Sequence, residues 1–355
     1  MRVAVDGQGL EGRVTGAGRA ARRLLEQLRR DYPADDYVLV RPSDRSGWRI
    51  PQQLLWDQVI FPWRAGRAGA DLLVSPAMSG PVARGRPLVM TVHDLAPTRH
   101  PEWLPTRRSR WYWGRLIPFT ARLATAVVVP SESTRRDLLE LAGIPPGRVS
   151  VVPWGALLPP QEVPAAEVAA VRRRYQLDAP YLLYVGTIDR RKDLATLVRA
   201  LEFLPGPLCL ALAGTLIAGR TRLPELVRQS GLAPRVRFLG FVPDAELPPL
   251  YAGAAVFVYP SSYEGFGLPL LEAMACGTPV LTYNVTSLPE VVGDAGLLLD
   301  PPVSPSELAK ALGRLLDDGP LRAELTARGR ARARAFDWGE AARRTHAVYE
   351  RCRGG

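Results

Sequence analysis

Short apolar runs recur along the chain, and most are followed by a longer segment whose apolar residues lie three and four positions apart. Arg2-Val-Ala-Val5, Tyr37-Val-Leu-Val40, Pro87-Leu-Val-Met-Thr-Val92, Ala126-Val-Val-Val129 and Val149-Ser-Val-Val152 are the runs of the first half. Tyr181-Leu-Leu-Tyr-Val185 restarts the pattern, and Ala254-Ala-Val-Phe-Val-Tyr259 continues it. A run without polar alternation suits a strand buried on both faces, and strands alternating with helical periodicity predict parallel sheets covered by helices. Helical periodicity runs from Ala20 to Arg30, Ser133 to Glu140, Ser306 to Asp317, Pro320 to Ala335 and Phe336 to Glu350. Pro153 to Pro164 is proline-rich and without period, as a linker should be. The reading is an α/β chain with one parallel-sheet domain over residues 1–160, a second over 165–335, and a last helix in 336–355.

The densest candidate chemistry lies in Ser262-Tyr-Glu-Gly-Phe-Gly-Leu-Pro-Leu-Leu-Glu-Ala-Met-Ala-Cys-Gly277, directly after one of these strands. Pro269 suits a helix start, where its missing N–H costs nothing, and Gly277 followed by Pro279 ends that helix. The loop before it holds Gly265, Phe266, Gly267 and Leu268, where glycines let backbone N–H groups approach an anion at a helix N-terminus. Glu264 is expected in the loop and Glu272 in the first helical turn, one carboxylate on either side of a phosphate, each accepting from hydroxyls. A nucleotide sugar has that layout. The bland alternative is a strand-loop-helix unit with two solvated glutamates.

Two further strand ends carry candidate groups. After Tyr181–Val185 come Gly186-Thr-Ile-Asp-Arg-Arg-Lys192, a glycine followed by cations at a helix start, with Arg191 able to clamp phosphate and Lys192 to act as a point charge. After Pro87–Val92 comes His93, one of only three histidines. Ligands of open α/β sheets bind at such strand ends, although a lone histidine there is also a common structural hydrogen-bonding residue. Gly7-Gln-Gly-Leu-Glu-Gly12 has dinucleotide-fingerprint spacing, but a second glycine set, Thr15-Gly-Ala-Gly-Arg19, intervenes before the helix, and the next strand ends in Arg41 rather than an acid. A Rossmann dehydrogenase is therefore the weaker enzymatic alternative.

Charge sharpens the picture. The chain of 355 residues has net charge +11 and pI ≈ 10.0, and 44 of its 46 basic residues are arginine, so a retained Lys192 is informative. Such charge favours an anionic partner: nucleic acid, acidic lipid or a phosphate-bearing substrate. Arginine and aromatic residues interleave from Trp103 to Arg115, bracketed by Pro105 and Pro118, which limits a helix there to three turns. Arg107, Arg108, Trp111, Trp113 and Arg115 fit an anionic membrane surface, or a helix with its aromatics on the core. Three scattered cysteines predict neither disulfides nor zinc, and there is no apolar run of spanning length and no signal-peptide arrangement, so a cytoplasmic protein is expected.

Glu264 and Glu272, with Gly277-Thr-Pro-Val-Leu-Thr282 and Ser287-Leu-Pro-Glu-Val-Val-Gly-Asp-Ala-Gly296, resemble the paired-glutamate region of family 4 retaining glycosyltransferases, and Thr91–Pro101 resembles their mannosyltransferase-like branch. The resemblance implies the GT-B fold: two Rossmann-like domains facing a cleft, with the C-terminal helix crossing back to the first. It also implies transfer of a hexose, with retention, from a nucleotide sugar to a glycan or lipid-linked hydroxyl. GDP-mannose is the first choice of donor and a UDP-hexose the second. Catalytic roles fall to His93, Glu264, Arg191 and Lys192, and donor binding to Gly16, Gly186, Val242, Asp244, Gly265, Phe266, Gly267, Leu268 and Glu272. No Asp-x-Asp pair occurs, so no metal or other cofactor is expected. Two departures stand out: Thr187 where many members have arginine, and Trp154-Gly155 where they have a polar turn. The rivals are a transferase-like protein without activity and a basic nucleic-acid-binding protein, which would leave the glutamates and glycine loops without purpose.

Overall fold

The computed structural model describes residues 1–10, 15–42, 50–76, 78–82, 85–158, 162–217 and 221–353. The end of the Gly7–Gly12 run and residues 159–161 of the linker lie outside them. The chain divides into two compact units, one of Met1–Gly155 with Asp337–Gly355 and one of Ala156–Phe336.

In the first unit, β1 (Arg2–Asp6), β2 (Asp36–Val40), β3 (Leu72–Ser75), β4 (Leu88–Thr91), β5 (Ala126–Val129) and β6 (Val149–Val151) form one sheet, ordered β2-β1-β3-β4-β5-β6. All its ladders are parallel. The order reverses at β1, so a crevice opens beyond the carboxyl ends of β1 and β3. The first helix opens at Gly16, four residues before the periodicity suggests, because Thr15 caps it by accepting from Gly18 N–H at 3.3 Å. The last helix, Trp338–Arg353, packs on it: His346 stacks on Tyr32 at 3.6 Å and bonds Asp35 at 2.8 Å.

Two helical stretches of this unit contain a π-turn, Trp56–Ile60 and Tyr112–Leu116, and a proline stands two residues beyond each, at Pro62 and Pro118. A proline ring clashes with the carbonyl four residues earlier; one wider turn moves that carbonyl aside and lets the helix continue. Residues 107–123 thus run on as one helical stretch through Pro118, instead of stopping there as the sequence reading has it. The residue opening each π-turn is buried and tied down: Trp56 Nε1 donates to Asp6 at 3.0 Å, and the Tyr112 hydroxyl to Asp57 at 2.7 Å.

The second unit holds β7 (Tyr181–Val185), β8 (Cys209–Ala213), β9 (Val236–Gly240), β10 (Val256–Tyr259), β11 (Val280–Tyr283) and β12 (Leu297–Leu299), again all parallel. Their order, β12-β11-β10-β7-β8-β9, is that of a Rossmann sheet with its switch point between β7 and β10. Tyr181, Tyr184, Tyr251, Phe257, Leu270 and Leu271 are fully buried in its core. At the carboxyl edge Gly214 has φ +145°, and a Cβ there would stand 1.9 Å from the Gly186 carbonyl oxygen, so the loops after β7 and β8 meet backbone to backbone.

Candidate active site

The switch point of the second unit is where the candidate residues gather. Leaving β7, the chain passes Gly186 and makes a short 3-10 turn, Arg190–Lys192, capped by Asp189, which accepts from Arg191 N–H at 3.0 Å. Leaving β10, it passes Ser261 and Ser262 into the loop that carries Glu264. The two loops are bonded together: the Arg191 carbonyl accepts from both the backbone N–H and the hydroxyl of Ser262, each at 2.9 Å. Lys192 and Glu264, 72 residues apart in sequence, thereby come into direct contact.

Glu264 is a buried carboxylate with an uneven set of partners. Its Oε1 accepts from the Lys192 ammonium, from Ser261 Oγ at 2.6 Å and from the Tyr259 hydroxyl at 3.1 Å. Among the described residues its Oε2 has only the Arg191 guanidinium, at 3.9 Å. Burial alone would raise its pKa, but Arg191 and Lys192, with hydrogen bonds from Lys192 and Ser261, hold it down at about 2. The Glu264 carboxylate is ionised. Lys192, 3% exposed, also donates to the Tyr259 hydroxyl at 2.9 Å and sits over that ring. Burial lowers its pKa from the ordinary value, opposed by the charge of Glu264. Two donations leave a third ammonium hydrogen.

The backbone of the loop is fixed from β11's far end. Thr286 Oγ1 accepts from Glu264 N–H at 3.0 Å, and Ser287 Oγ donates to the carbonyls of Glu264 and Phe266 at 3.0 and 2.8 Å. Gly267, with φ +126°, then starts the helix Leu268–Ala275 and has no side chain to cap it. Hydrogen bonds from Gly277 N–H to the Met274 carbonyl and from Thr278 N–H to the Ala273 carbonyl close its other end. Phe266 and Leu268 are buried, Phe266 lying edge-on to Phe336 at 5.7 Å.

Glu272 requires a correction. The helix begins at Leu268, so Glu272 is its fifth residue and lies beyond the first turn. It is 2% exposed, and its Oε2 accepts from the Tyr251 hydroxyl at 2.8 Å. Of the remaining donor-side candidates, Val242 is buried just after β9 and Asp244 is exposed in the following 3-10 turn.

In the first unit His93 lies two residues beyond β4. Its Nε2–H donates to the Pro76 carbonyl at 2.8 Å, its ring stands edge-on to Trp154 at 5.2 Å, and its buried Nδ1 has no partner among the described residues. Burial lowers its pKa, opposed by Pro76 and Asp94. A neutral ring with Nε2 protonated offers the Nδ1 lone pair to a donor. Gly16 is exposed in the first turn of its helix. Sequence reasoning missed Tyr251, Tyr259 and Ser261, the partners of the two glutamates; only Ser261, at a strand end, carried any local signal.

Two family models divide the chain between them: Glycosyltransferase Family 4 over residues 26–156 and Glycosyl transferases group 1 over 170–332. The O-antigen chain mannosyltransferase B of Escherichia coli is 39% identical over 267 residues, 74% of this chain and 70% of that one. The chain belongs to glycosyltransferase family 4. The transferase is also 36% identical over 276 residues to the D-inositol 3-phosphate glycosyltransferase of Xylanimonas cellulosilytica, covering 74% of this chain and 66% of that one. Among solved structures, Anabaena HepE in complex with UDP and glucose superposes with TM-score 0.78 over 99% of both chains at 20% identity. At that identity the likeness speaks for the fold alone, which is GT-B. Among the described residues no helix of the transferase is long and apolar enough to cross a membrane.

Proposed function

We propose that this transferase moves a hexose from a nucleotide sugar to a glycan or lipid-linked hydroxyl, with retention and without a metal ion, and that the donor is GDP-mannose. The observation that carries the reading is the uneven carboxylate of Glu264. Three donors on Oε1 fix its position and charge, while Oε2 keeps acceptor capacity for a sugar hydroxyl. Arg191 and the third ammonium hydrogen of Lys192 would meet the negative charge that grows on the leaving diphosphate, and the uncapped N–H groups near Gly267 and Leu268 would add to them. Metal-free stabilisation follows from those cations taking the metal's electrostatic role. Glu272 is assigned the ribose, Val242 and Asp244 the base, and Gly186 and Gly16 the diphosphate. His93 would accept a hydrogen bond from a sugar hydroxyl through Nδ1.

Retention without a covalent adduct is favoured because three donors on Oε1 draw off the charge of Glu264 and its Oε2 is assigned to a sugar hydroxyl. In this route the bond from the anomeric carbon to the diphosphate oxygen breaks as the acceptor oxygen attacks the same face. The acceptor proton passes to the leaving phosphate. A glycosyl-enzyme mass would overturn it.

The mannosyl choice rests on the Escherichia coli relative; the second relative carries a different named activity, so a UDP-hexose remains the second reading. Thermal unfolding with GDP, UDP, GDP-mannose and UDP-hexoses in EDTA tests both. A ligand at about 100 times its Kd stabilises by roughly 2.7 kcal/mol. A shift with GDP species, lost in Glu272→Ala, is expected. A shift with UDP species alone replaces the donor, and none with any nucleotide removes the reading.

A further inference from the structure

The first unit has an open groove of ≈ 880 Å³ that none of the donor-side residues lines. Its floor is Pro97, Pro101, Pro118 and Leu141, and no lining residue is acidic. Four arginines face it, Arg107, Arg110, Arg115 and Arg122. Only Arg110 is held, donating to the Leu104 carbonyl at 3.1 Å; the other three guanidiniums are exposed and make no side-chain hydrogen bond or ion pair among the described residues. Thr98 Oγ1, also on the groove, is covered and without a hydrogen-bond partner among the described residues. Two aromatics stand at the same groove, Trp111 at 49% and Phe119 at 50% exposed.

The continuous helical stretch 107–123 is what assembles this set. Had the helix stopped at Pro118, Phe119 and Arg122 would not share a surface with Arg107 and Trp111. Trp113, by contrast, packs against the core and lies edge-on to Tyr112 at 5.0 Å, so it drops out of the membrane-facing set suggested by sequence, and Phe119 takes its place.

Unpaired guanidiniums beside exposed aromatic rings, over an apolar floor, match one environment closely: the headgroup layer of an anionic bilayer, where phosphates meet the cations and the rings reach acyl chains. We infer that this groove docks the protein on an anionic lipid surface through phosphate headgroups. A nucleic acid would also meet the charge, but it offers nothing to an apolar floor of proline and leucine. The inference is independent of which nucleotide sugar is used.

The test uses the full chain and co-sedimentation with vesicles of phosphatidylcholine alone or mixed with phosphatidylglycerol. Binding to the mixed vesicles only, weakening with salt, is expected. Each arginine near such a surface strengthens partitioning about fivefold, so Arg107→Gln/Arg115→Gln/Arg122→Gln should lose roughly 100-fold. Because these side chains are unpaired, its unfolding temperature and its nucleotide-induced shift should match the parent's; were it less stable, Arg115→Gln alone, with a loss of about fivefold, decides. Equal binding to both vesicles, no binding to either, undiminished binding by the variants, or preference for a single-stranded oligonucleotide would each overturn the inference.

Discussion

The Lys192–Glu264 pair makes a quantitative claim about stability. Glu264→Gln leaves a buried ammonium with neutral acceptors only, the amide oxygen and the Tyr259 hydroxyl, and Lys192→Met leaves a buried carboxylate with the Ser261 and Tyr259 hydroxyls and Arg191 at 3.9 Å. Breaking one partner of a buried pair costs about 3–5 kcal/mol. The lowered pKa of Glu264 points the same way, with Arg191, Lys192 and Ser261 sharing in it. The double variant Lys192→Met/Glu264→Gln removes both charges and should cost far less than the sum, with a coupling of about 2–3 kcal/mol. A unit of this size shifts by about 2–4 °C per kcal/mol, so each single variant should lose roughly 10 °C. The probe matters. All eight tryptophans lie in the first unit or in residues 43–49 before its first π-turn, and none in Ala156–Phe336, so tryptophan fluorescence is blind to the second unit and serves as internal control. Far-UV circular dichroism and calorimetry read the affected transition. The pH sign follows from the lowered pKa: the stabilisation from Glu264 is complete above about 4.5 and fades as pH falls towards 2. Additive single effects in the double variant would refute the pairing.

Other predictions concern single positions. Gly214→Ala should destabilise the second unit by about 3 kcal/mol or more, since the Gly186 carbonyl must move; calorimetry checks it. His93→Gln should reduce turnover with little change in donor affinity. Because burial lowers the His93 pKa, the fold should also lose stability as pH falls below its ordinary 6.5, a loss absent in His93→Gln. Ser131→Ala should cost about 1 kcal/mol by removing the cap on Glu132–Ala142, measured by urea unfolding with tryptophan fluorescence.

Much of this architecture was legible because buried parallel strands announce themselves as unbroken apolar runs. The ones missed lacked that signature: Leu72–Ser75, Val280–Tyr283 and Leu297–Leu299 are only three or four residues long, and Cys209–Ala213 alternates leucine and alanine in a way a helix would also tolerate. Ile50–Arg67 was unread because Pro62 forbids an ordinary helix running through it, and a π-turn leaves no mark in residue spacing. At the site, Glu264, Arg191 and Lys192 were readable as strand-end chemistry. What holds Glu272 was not, since Tyr251 reaches it across 21 residues from another helix. The sequence also presented Arg191 and Lys192 as a pair of equivalent cations. The structure makes them different: Lys192 is buried against Glu264, and Arg191 keeps 23% of its side chain exposed.

That difference bears on how the site can handle charge. Arg191, Lys192 and the ionised Glu264 together carry one net positive charge, and Asp189 also acts on Lys192. Glu264 has a second task besides meeting a sugar hydroxyl, since without it the buried ammonium of Lys192 would shed its proton or its position. The two cations should therefore fail differently. Arg191→Ala should weaken nucleoside diphosphate binding and destabilise the second unit less than Lys192→Met does, because its guanidinium, 3.9 Å from Glu264 and partly solvated, acts on the carboxylate by charge without a hydrogen bond. Lys192→Met should lower both. Isothermal titration with the diphosphate beside calorimetry of each variant separates them, and equal losses of stability would show that Arg191, too, is part of the buried pair.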